Sequence, residues 1–326
     1  LKVKHSSIML IDEDGDGLVV KACHGDRSKQ ALGKTQKIDE GVAGRVITER
    51  KPILVADIRR DNRFNRSERP DYKTKSFVSA PLIVEERVLG VINVIDKVSG
   101  DSFCETDVNL LCTIAGQVSI AVENARLYEA LEANCFNMVT ALAKSLEAKD
   151  KYTSGHSQRV SEYSSVMARA MGVSDKDMKT LRHAALLHDI GKIGISEFII
   201  NKTDKLNDTE FATIKSHPCQ GEQIIKPLTF LDDAIHHIRS HHESFDGRGY
   251  PDRLGGDDLS LLTRIMTVAD AFDAMTSDRT YRSSMKTNKA VSELRRVAGK
   301  QFDPEVVDAF ASSEIVKMKS DLESNY

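Results

Sequence analysis

Residues 188–192 read His-Asp-Ile-Gly-Lys, and residues 241–251 read His-His-Glu-Ser-Phe-Asp-Gly-Arg-Gly-Tyr-Pro. Both stretches offer imidazole and carboxylate groups, and neither contains a cysteine. A mixed histidine and carboxylate ligand set suits iron, manganese and other hard or borderline divalent ions better than zinc-thiolate chemistry does. The two stretches therefore predict a metal site, and the fold must be one that assembles it.

Further ligand candidates occur in order along residues 156–282. A single His-Asp pair is common by chance, and a lone histidine on an apolar helix is usually a packed residue, but the ordered combination is much rarer. Two divalent ions about 3.5 to 4 Å apart stabilise the attacking and leaving oxygens of an in-line displacement, so the pattern favours phosphodiester cleavage. The candidates are His156, His188, His217, His241, His242, Asp189 and Asp270.

Apolar spacing in the second half of the chain predicts a set of helices whose inward faces meet at one centre. An all-α domain is therefore expected there. Three other histidines, His183, His236 and His237, are interpreted as structural or exposed. The predicted helices cover residues 156–171, 176–191, 208–225 and 231–243.

The first hundred residues instead contain short runs rich in β-branched residues, bounded by turn residues. The last two runs are separated by Glu85-Glu86-Arg87, which is typical of a hairpin. Residues 41–47 predict a short helix between strands. The predicted strands are residues 7–11, 18–23, 52–56, 77–84 and 88–94.

Residues 134–315 resemble an HD-GYP domain, because the signature loop 246–251 has an unsubstituted Gly-Tyr-Pro. HD-GYP domains are the branch of the HD phosphohydrolases that hydrolyses cyclic di-GMP. The stretches GVAGRVITERKPILVADI and SAPLIVEERVLGVINV resemble a GAF domain, whose first family helix is absent here. The expected organisation is an α+β GAF domain with an antiparallel sheet and flanking helices (1–103), a long connecting helix (104–133) and an all-α HD-GYP domain (134–326).

The HD-GYP resemblance implies two divalent metal ions per chain, iron or manganese, with Asp189 bridging them. It makes Asp189 and Lys192 the catalytic residues. Lys192 would face the scissile phosphate and neutralise its charge or protonate the leaving ribose oxygen; the alternative is a surface lysine at a helix end. The implied metal ligands are His156, His188, Asp189, His217, His241, His242 and Asp270.

The same resemblance implies a set of substrate contacts around the Gly-Tyr-Pro loop. Glycines let the loop backbone approach a ligand closely. Guanidinium forks suit either phosphate or guanine. The implied contacts are Lys192, Asp246, Gly247, Gly249, Tyr250, Pro251, Arg279 and Arg282.

The number of metals depends on one position. Some family members have a glutamate four residues before the first histidine ligand, where it helps to hold a third metal, and this chain has Tyr152 there. Two metals are therefore expected. Glu147 and Asp150 lie close enough in sequence for one of their carboxylates to substitute.

Residues 105–149 contain no proline and one glycine, Gly116, which predicts one long helix joining the two domains. Its apolar stripe has the alternating spacing of three and four that is typical of a coiled coil. The hypothesis is a parallel homodimer that transmits the state of the GAF domain; the alternative is a helix packed within its own monomer. The stripe is Leu111, Ala115, Val118, Val122, Ala125, Tyr128, Leu131, Cys135, Met138 and Leu142.

Composition agrees with a two-domain globular protein, because 326 residues with 40% hydrophobic and 29% charged side chains are an ordinary balance. No run of 18 apolar residues occurs, so no membrane span is expected within this segment, whereas an upstream anchor or further domain stays open. Five dispersed cysteines indicate a reducing compartment and a cytoplasmic location. The net charge of −3 leaves attraction for an anionic nucleotide to local groups, and no nucleic acid polymer is expected as a partner.

The expected function is hydrolysis of cyclic di-GMP to linear pGpG, with a second cut to GMP as a further step. One alternative is an HD phosphohydrolase acting on another cyclic dinucleotide, such as cyclic GMP-AMP. Another is a receptor that binds cyclic di-GMP without turnover, which degenerate ligands would mark; none of the seven is substituted. The GAF domain is either a small-molecule sensor or a dimerisation scaffold, and its ligand is not determined.

Overall fold

The computed structural model describes residues 1–25, 28–58, 60, 61, 63, 76–147, 154–277 and 284–324. The chain divides into two compact units, Leu1–Leu131 and Glu132–Tyr326. All five cysteines are free thiols. Within the described ranges, no helix is both long enough and apolar enough to span a membrane.

The first unit is built on one antiparallel sheet with the strand order β3-β2-β1-β6-β5-β4. Five of its strands match runs that the sequence predicts; the three-residue β3 was not predicted, because so short a strand has no readable alternation. Residues 85–86 form the turn between the last two strands. The strands are β1 (Val3–Ile11), β2 (Gly17–His24), β3 (Thr35–Lys37), β4 (Ile53–Val55), β5 (Phe77–Val84) and β6 (Arg87–Lys97).

The two faces of this sheet bury different helices. Besides the short α1 (Ser28–Ala31), the unit contains α2 (Gly41–Glu49) and the first part of the long α3 (Glu105–Glu147), whose last residues belong to the second unit. Successive residues of a strand point to opposite faces. Val91 accordingly packs with the residues of α2, and Ile92 packs with those of α3.

The predicted apolar stripe of α3 divides into two parts with different environments. Leu111 and Ala115 are only 1% and 2% exposed, because they cover the apolar face of the sheet in their own chain. This part of the stripe is therefore not available to a second chain. Leu131 and Met138, further along, are 57% and 58% exposed.

The second unit is helical, with short 3-10 turns at Ile190–Gly194, Thr229–Leu231 and Gly256–Asp258. Its core includes Met167, Leu181, Phe272 and Phe310, and the last two rings meet edge to face with centroids 4.6 Å apart. The helices are α4 (His156–Ala170), α5 (Asp175–Leu187), α6 (Glu197–Ile200), α7 (Asp208–Lys215), α8 (His217–Ile225), α9 (Asp232–Ser240), α10 (Leu261–Thr276), α11 (Thr287–Val297), α12 (Pro304–Ala311) and α13 (Glu314–Ser324).

The prediction of one helix over residues 208–225 was wrong, because the helix breaks at Ser216 into α7 and α8. Pro218 has no N–H group, so the carbonyl of Ile214 loses its normal helical partner four residues later. The ring nitrogen Nδ1 of His217 takes that place, 2.7 Å from the Ile214 oxygen. The break therefore lets this hydrogen bond fix the orientation of the His217 ring.

Candidate metal centre

Three of the candidate ligands share one local geometry. His188, His217 and His241 each lie at a helix end, with Nδ1 at 2.8, 2.7 and 2.6 Å from the main-chain oxygen three residues earlier. A carbonyl oxygen only accepts hydrogen bonds, so Nδ1 must hold the proton and Nε2 of the neutral ring keeps its lone pair. The backbone thus orients three Nε2 atoms that are candidate metal ligands.

His156 is oriented differently, by a buried carboxylate. Its Nδ1 lies 2.8 Å from Oδ2 of Asp273, which is 1% exposed. Arg159 donates to the same carboxylate from Nε at 2.6 Å and from Nη2 at 3.0 Å. A carboxylate behind a histidine fixes the ring and raises its basicity as a ligand.

Asp273 and Arg159 were missed in the sequence. The available signal was the spacing of Asp270 and Asp273, because residues three apart lie on the same helix face. That spacing alone does not say which histidine the second carboxylate meets. The partner, His156, is 117 residues away in the chain.

The structure collects the candidate ligands into two groups, in each of which the ligand atoms lie within 4.8 Å of one another. Asp189 lies between the groups: Oδ2 is 3.5 Å from Nε2 of His188, and Oδ1 is 3.3 Å from Nε2 of His217. Such a carboxylate has one oxygen for each of two ions. The groups are His156, His188 and Asp189, and His217, His241 and His242.

Asp270 joins the first group from α10. Its Oδ1 lies 3.3 Å from Nε2 of His156 and 4.0 Å from Nε2 of His188. The first group therefore has two imidazoles and two carboxylates, whereas the second has three imidazoles and one oxygen of Asp189. All seven predicted ligand positions meet in one cluster.

The carboxylates of this cluster are negatively charged. Burial alone would raise the pKa of the Asp189 carboxyl, but the adjacent Lys192 ammonium and neighbouring imidazoles hold it well below its usual range. Burial of Asp270 is likewise outweighed, chiefly by its hydrogen bond with His156, and its pKa is also lowered. Two neighbouring negative charges that are shielded from water attract cations.

The pKa values of the imidazoles are shifted in opposite directions, depending on whether carboxylates lie next to the ring. Burial disfavours the charged form of His156, yet Asp270 and Asp273 raise its pKa to about 10. Burial lowers the pKa of His242 to about 4 and that of His241 well below the usual value. His241 and His242 are therefore neutral and keep lone pairs for a metal ion.

One contact tests whether the residues fit a metal. The Nε2 atoms of His217 and His241 lie 3.1 Å apart, and both rings place Nδ1 against a carbonyl oxygen. Two nitrogen lone pairs at that distance repel each other unless a proton or a metal ion lies between or beside them. The residues therefore fit divalent ions bound by imidazole and carboxylate.

Lys192 lies beside the centre, with Nζ 2.6 Å from Oδ2 of Asp189. It belongs to the 3-10 turn Ile190–Gly194, which packs closely on α8. A Cβ at Gly191 would lie 1.9 Å from the main-chain oxygen of His217. Only glycine lets the turn with His188 and Asp189 approach His217 this closely.

The Gly-Tyr-Pro loop folds back on the double histidine. The Tyr250 N–H donates to the His242 oxygen at 3.2 Å, and the two rings stack at 4.8 Å with 27° between their planes. A Cβ at Gly249 would lie 2.4 Å from Cα of Glu243, so the loop needs glycine there. Pro251 follows Tyr250 through a cis peptide bond.

The start of this loop is a turn held by its own backbone. Gly247 has a φ of 74°, a conformation that favours glycine. Oδ1 of Asp246 accepts from the N–H of Arg248, and the N–H of Asp246 donates to the oxygen of Lys300. Within the described contacts, Asp246 and Gly247 shape the loop, and Tyr250 is the member that touches a candidate ligand.

Several predictions lie outside the described residues: Arg279, Arg282, Tyr152 and Asp150. Glu147 is described, and its carboxylate is engaged with the start of α4. Oε2 accepts from the N–H of Gly155 at 2.7 Å, and Oε1 accepts from that of Ser157 at 2.8 Å.

The three histidines interpreted as structural or exposed do lie outside the cluster. His236 is exposed, and His183 packs against the rings of Phe136 and Phe230. His237 is buried, with Nδ1 2.8 Å from a hydroxyl oxygen of α10. Its burial lowers its pKa to about 4.

Comparison with known proteins agrees with this architecture. The HD domain family matches residues 140–306, just over half of the chain, and the GAF domain family matches residues 1–123. A 3′3′-cGAMP-specific phosphodiesterase 3 of Vibrio cholerae is 43% identical over 168 residues, which cover 52% of this chain and 36% of that protein. A 3′3′-cGAMP-specific phosphodiesterase 2 of the same organism is 30% identical over 237 residues, 72% of this chain and 45% of that protein.

A third relative is named for cyclic di-GMP rather than for 3′3′-cGAMP. The cyclic di-GMP phosphodiesterase response regulator RpfG of Xanthomonas campestris is 35% identical over 173 residues, 52% of this chain and 46% of that protein. The chain thus spans between about a third and about half of the length of these relatives. The helical unit with its histidine and aspartate cluster, together with the family match, places this chain in the HD domain family, with a GAF domain preceding the HD domain.

Proposed function

We propose that this chain is a metal-dependent phosphodiesterase that hydrolyses one 3′–5′ bond of cyclic di-GMP and releases linear pGpG; a second cut would give GMP. The position of Asp189, with one oxygen toward each group of imidazoles, is the observation that carries the proposal. The Gly-Tyr-Pro loop against His242 and the relatives named for cyclic dinucleotides support it.

Two divalent ions, iron or manganese, are the proposed cofactors. His156, His188 and Asp270 would hold one ion; His217, His241 and His242 would hold the other; Asp189 would bind both. When bound, two such ions make water nucleophilic at neutral pH and offset charge on the phosphoryl group.

The remaining side chains have separate proposed roles. Lys192 has its ammonium on the carboxylate that the ions would share, so it can turn toward a phosphate and neutralise it or give a proton to the leaving ribose oxygen. Tyr250 covers His242 and keeps water from that side of the centre. Arg279 and Arg282 are proposed to hold phosphate or guanine.

Turnover and metal content measured on the same anaerobically purified sample test this proposal. About two metals per chain and linear product separated by chromatography are expected. His242→Ala should lose metal and activity while keeping its circular dichroism spectrum. His236→Ala is the matched control, because His236 is an exposed histidine on the adjacent helix outside the cluster.

Two results would contradict the proposal. Full activity of a folded His242→Ala or Asp189→Ala variant would exclude the cluster from the reaction. Bound metal and bound cyclic di-GMP without any turnover would indicate a receptor instead.

A second candidate substrate is 3′3′-cGAMP, because a relative that is 43% identical is named for it. Competition between the two dinucleotides in one reaction gives the ratio of their kcat/KM values directly. A ratio that favours cyclic di-GMP supports the first choice, and the reverse ratio replaces the substrate without changing the proposed chemistry.

Regulation through the GAF domain and a parallel homodimer along α3 are further proposals. Tyr128, Leu131, Met138 and Leu142 are exposed on that helix, which suits a contact with a second copy. Light scattering at micromolar concentration should give the mass of a dimer, and Leu131→Lys should reduce it. A monomer for the unaltered chain would exclude this arrangement.

A further inference from the structure

A row of rings and one ammonium leads from the metal centre to the surface. The His242 ring stacks on Tyr250. Nζ of Lys215 lies over the Tyr250 ring, 5.2 Å from its centroid, and over the Phe211 ring at 4.6 Å. Neither Lys215 nor Phe211 belongs to the ligand set described above.

Helix α7 holds this pair in place. Phe211 and Lys215 are four residues apart, so they share one face of the helix. The helix start is anchored by a capping box between Asn207 and Glu210, and Nζ of Lys202 lies 2.7 Å from the Glu210 carboxylate. The last turn therefore presents both side chains from a fixed support.

Lys215 differs from the other lysines near the site. Lys192 is paired with Asp189, and Lys202 is paired with Glu210. Lys215 is exposed and, among the residues that the structure describes, no carboxylate pairs with it. An exposed cation held only by rings can exchange them for a hydrogen-bond acceptor, because charged hydrogen bonds are stronger than exposed cation–π contacts.

Phe211 offers the complementary surface. It is 48% exposed, and an aromatic side chain of this kind stacks on nucleic acid bases. The Lys215 ammonium now lies over this ring, but the lysine side chain is flexible and can move aside. A base stacked on Phe211 would then have the ammonium at its edge.

The chemistry of the ammonium selects the base. Lysine has three donors and no acceptor. Guanine presents two adjacent acceptors, N7 and O6, whereas adenine presents N7 beside the N6 amino donor. A single ammonium can satisfy the guanine edge, but it meets an N–H group on adenine.

We propose that Phe211 and Lys215 form a subsite for a guanine base of the substrate, with Phe211 stacking on the base and Lys215 donating to N7 and O6. This proposal rests on the proposed function and adds the residues that choose guanine over adenine. Both bases of cyclic di-GMP satisfy the subsite. A mixed guanine and adenine dinucleotide satisfies it in one of its two orientations.

Binding of GMP and AMP to the anaerobically purified protein, measured by calorimetry, tests the subsite without requiring hydrolysis. GMP should bind more tightly than AMP. Lys215→Met should raise the Kd of GMP by about 10-fold or more, because a charged hydrogen bond is lost, and should leave AMP nearly unchanged. Lys215→Arg should restore GMP binding, since arginine recognises the same edge.

Matched controls separate the subsite from general effects. Phe211→Leu should weaken GMP binding through lost stacking, whereas Phe230→Leu should not, although Phe230 is also 48% exposed. Lys226→Met, at another exposed helix end, should bind GMP as the unaltered chain does.

The outcomes are decisive. Unchanged GMP binding in Lys215→Met, equal binding of GMP and AMP, or no binding of either nucleotide by the unaltered protein would overturn the proposal. Equal weakening of both nucleotides would assign Lys215 to the phosphate and also overturn it. If the base preference depends on Lys215 while cyclic di-GMP is not turned over, the subsite stands and the proposed phosphodiesterase function falls.

Discussion

Replacement of Gly191 by alanine should separate the two halves of the metal centre. The added Cβ would lie 1.9 Å from the His217 oxygen and 2.6 Å from the Gly221 nitrogen. Real Cβ contacts essentially never fall below 3.0 Å, so the turn and α8 must move apart by about 1 Å. Backbone atoms form this contact, and no side-chain rotation relieves it.

The displacement acts directly on the bridging geometry. Asp189, two residues before Gly191, has Oδ1 3.3 Å from Nε2 of His217. A shift of about 1 Å would remove the common position for the two proposed ions, and misplacement of that size costs about 100-fold in rate. The forced repacking should also cost about 1 to 3 kcal/mol of stability.

Gly194→Ala is the matched control, because Gly194 lies in the same turn. Its added Cβ would meet Oε1 of Gln220 at 2.4 Å, the far end of a flexible side chain that can rotate away. The assay combines metal content, initial rate on cyclic di-GMP and thermal unfolding for both variants. A Gly191→Ala variant with two metals and an unaltered rate would refute the reasoning.

Three other changes have defined outcomes. Asp273→Asn should weaken metal binding by about 10- to 100-fold, measured by competition with a chelator, because His156 loses the carboxylate behind its ring; unaltered affinity would remove Asp273 from the site. Burial holds the pKa of His237 at about 4 in the folded protein, against an ordinary value of 6.5. The neutral ring therefore contributes fully to the free energy of unfolding above pH 6.5, and this contribution is lost as the pH falls toward 4. Between pH 7 and pH 5 the unaltered chain should lose about 2 kcal/mol more free energy of unfolding than His237→Asn does. Denaturant unfolding at several pH values measures this, and the same pH dependence in both proteins would contradict it. Gly249→Ala should reduce turnover with little loss of metal, because the Cβ would meet Glu243 Cα at 2.4 Å and push the loop outward; normal turnover would show that the loop yields.

The sequence identified candidate ligands by residue type, because imidazole and carboxylate chemistry belongs to each residue wherever it lies. The His-Asp pair at 188–189 and the double histidine at 241–242 entered the cluster as expected. Periodicity also predicted α4, α5 and α9, but it gave no range for α10–α13, and it ran through Ser216, where Pro218 removes a hydrogen-bond donor and the helix breaks. The spacing of apolar residues carries no information about a single missing backbone N–H group.

The apolar stripe of α3 illustrates a different limit. Apolar residues recur every three or four positions along its whole length, yet Leu111 covers the sheet of its own chain and Leu131 is exposed. Periodicity shows that a helix has an apolar face, but it does not identify the surface that the face covers. The surface against which the helix packs depends on which neighbouring element has an exposed apolar face.

By itself, the sequence determined that this chain joins an α+β unit to a helical unit, and it named the side chains that are candidates for binding metal. Only the tertiary structure decided that Asp273 stands behind His156, that the two oxygens of Asp189 point to different imidazoles, and that Lys215 meets Tyr250. These relations join residues from different helices, turns and loops, in one case 117 positions apart. Their distances are set by how whole helices pack, and no local pattern of residues contains that information.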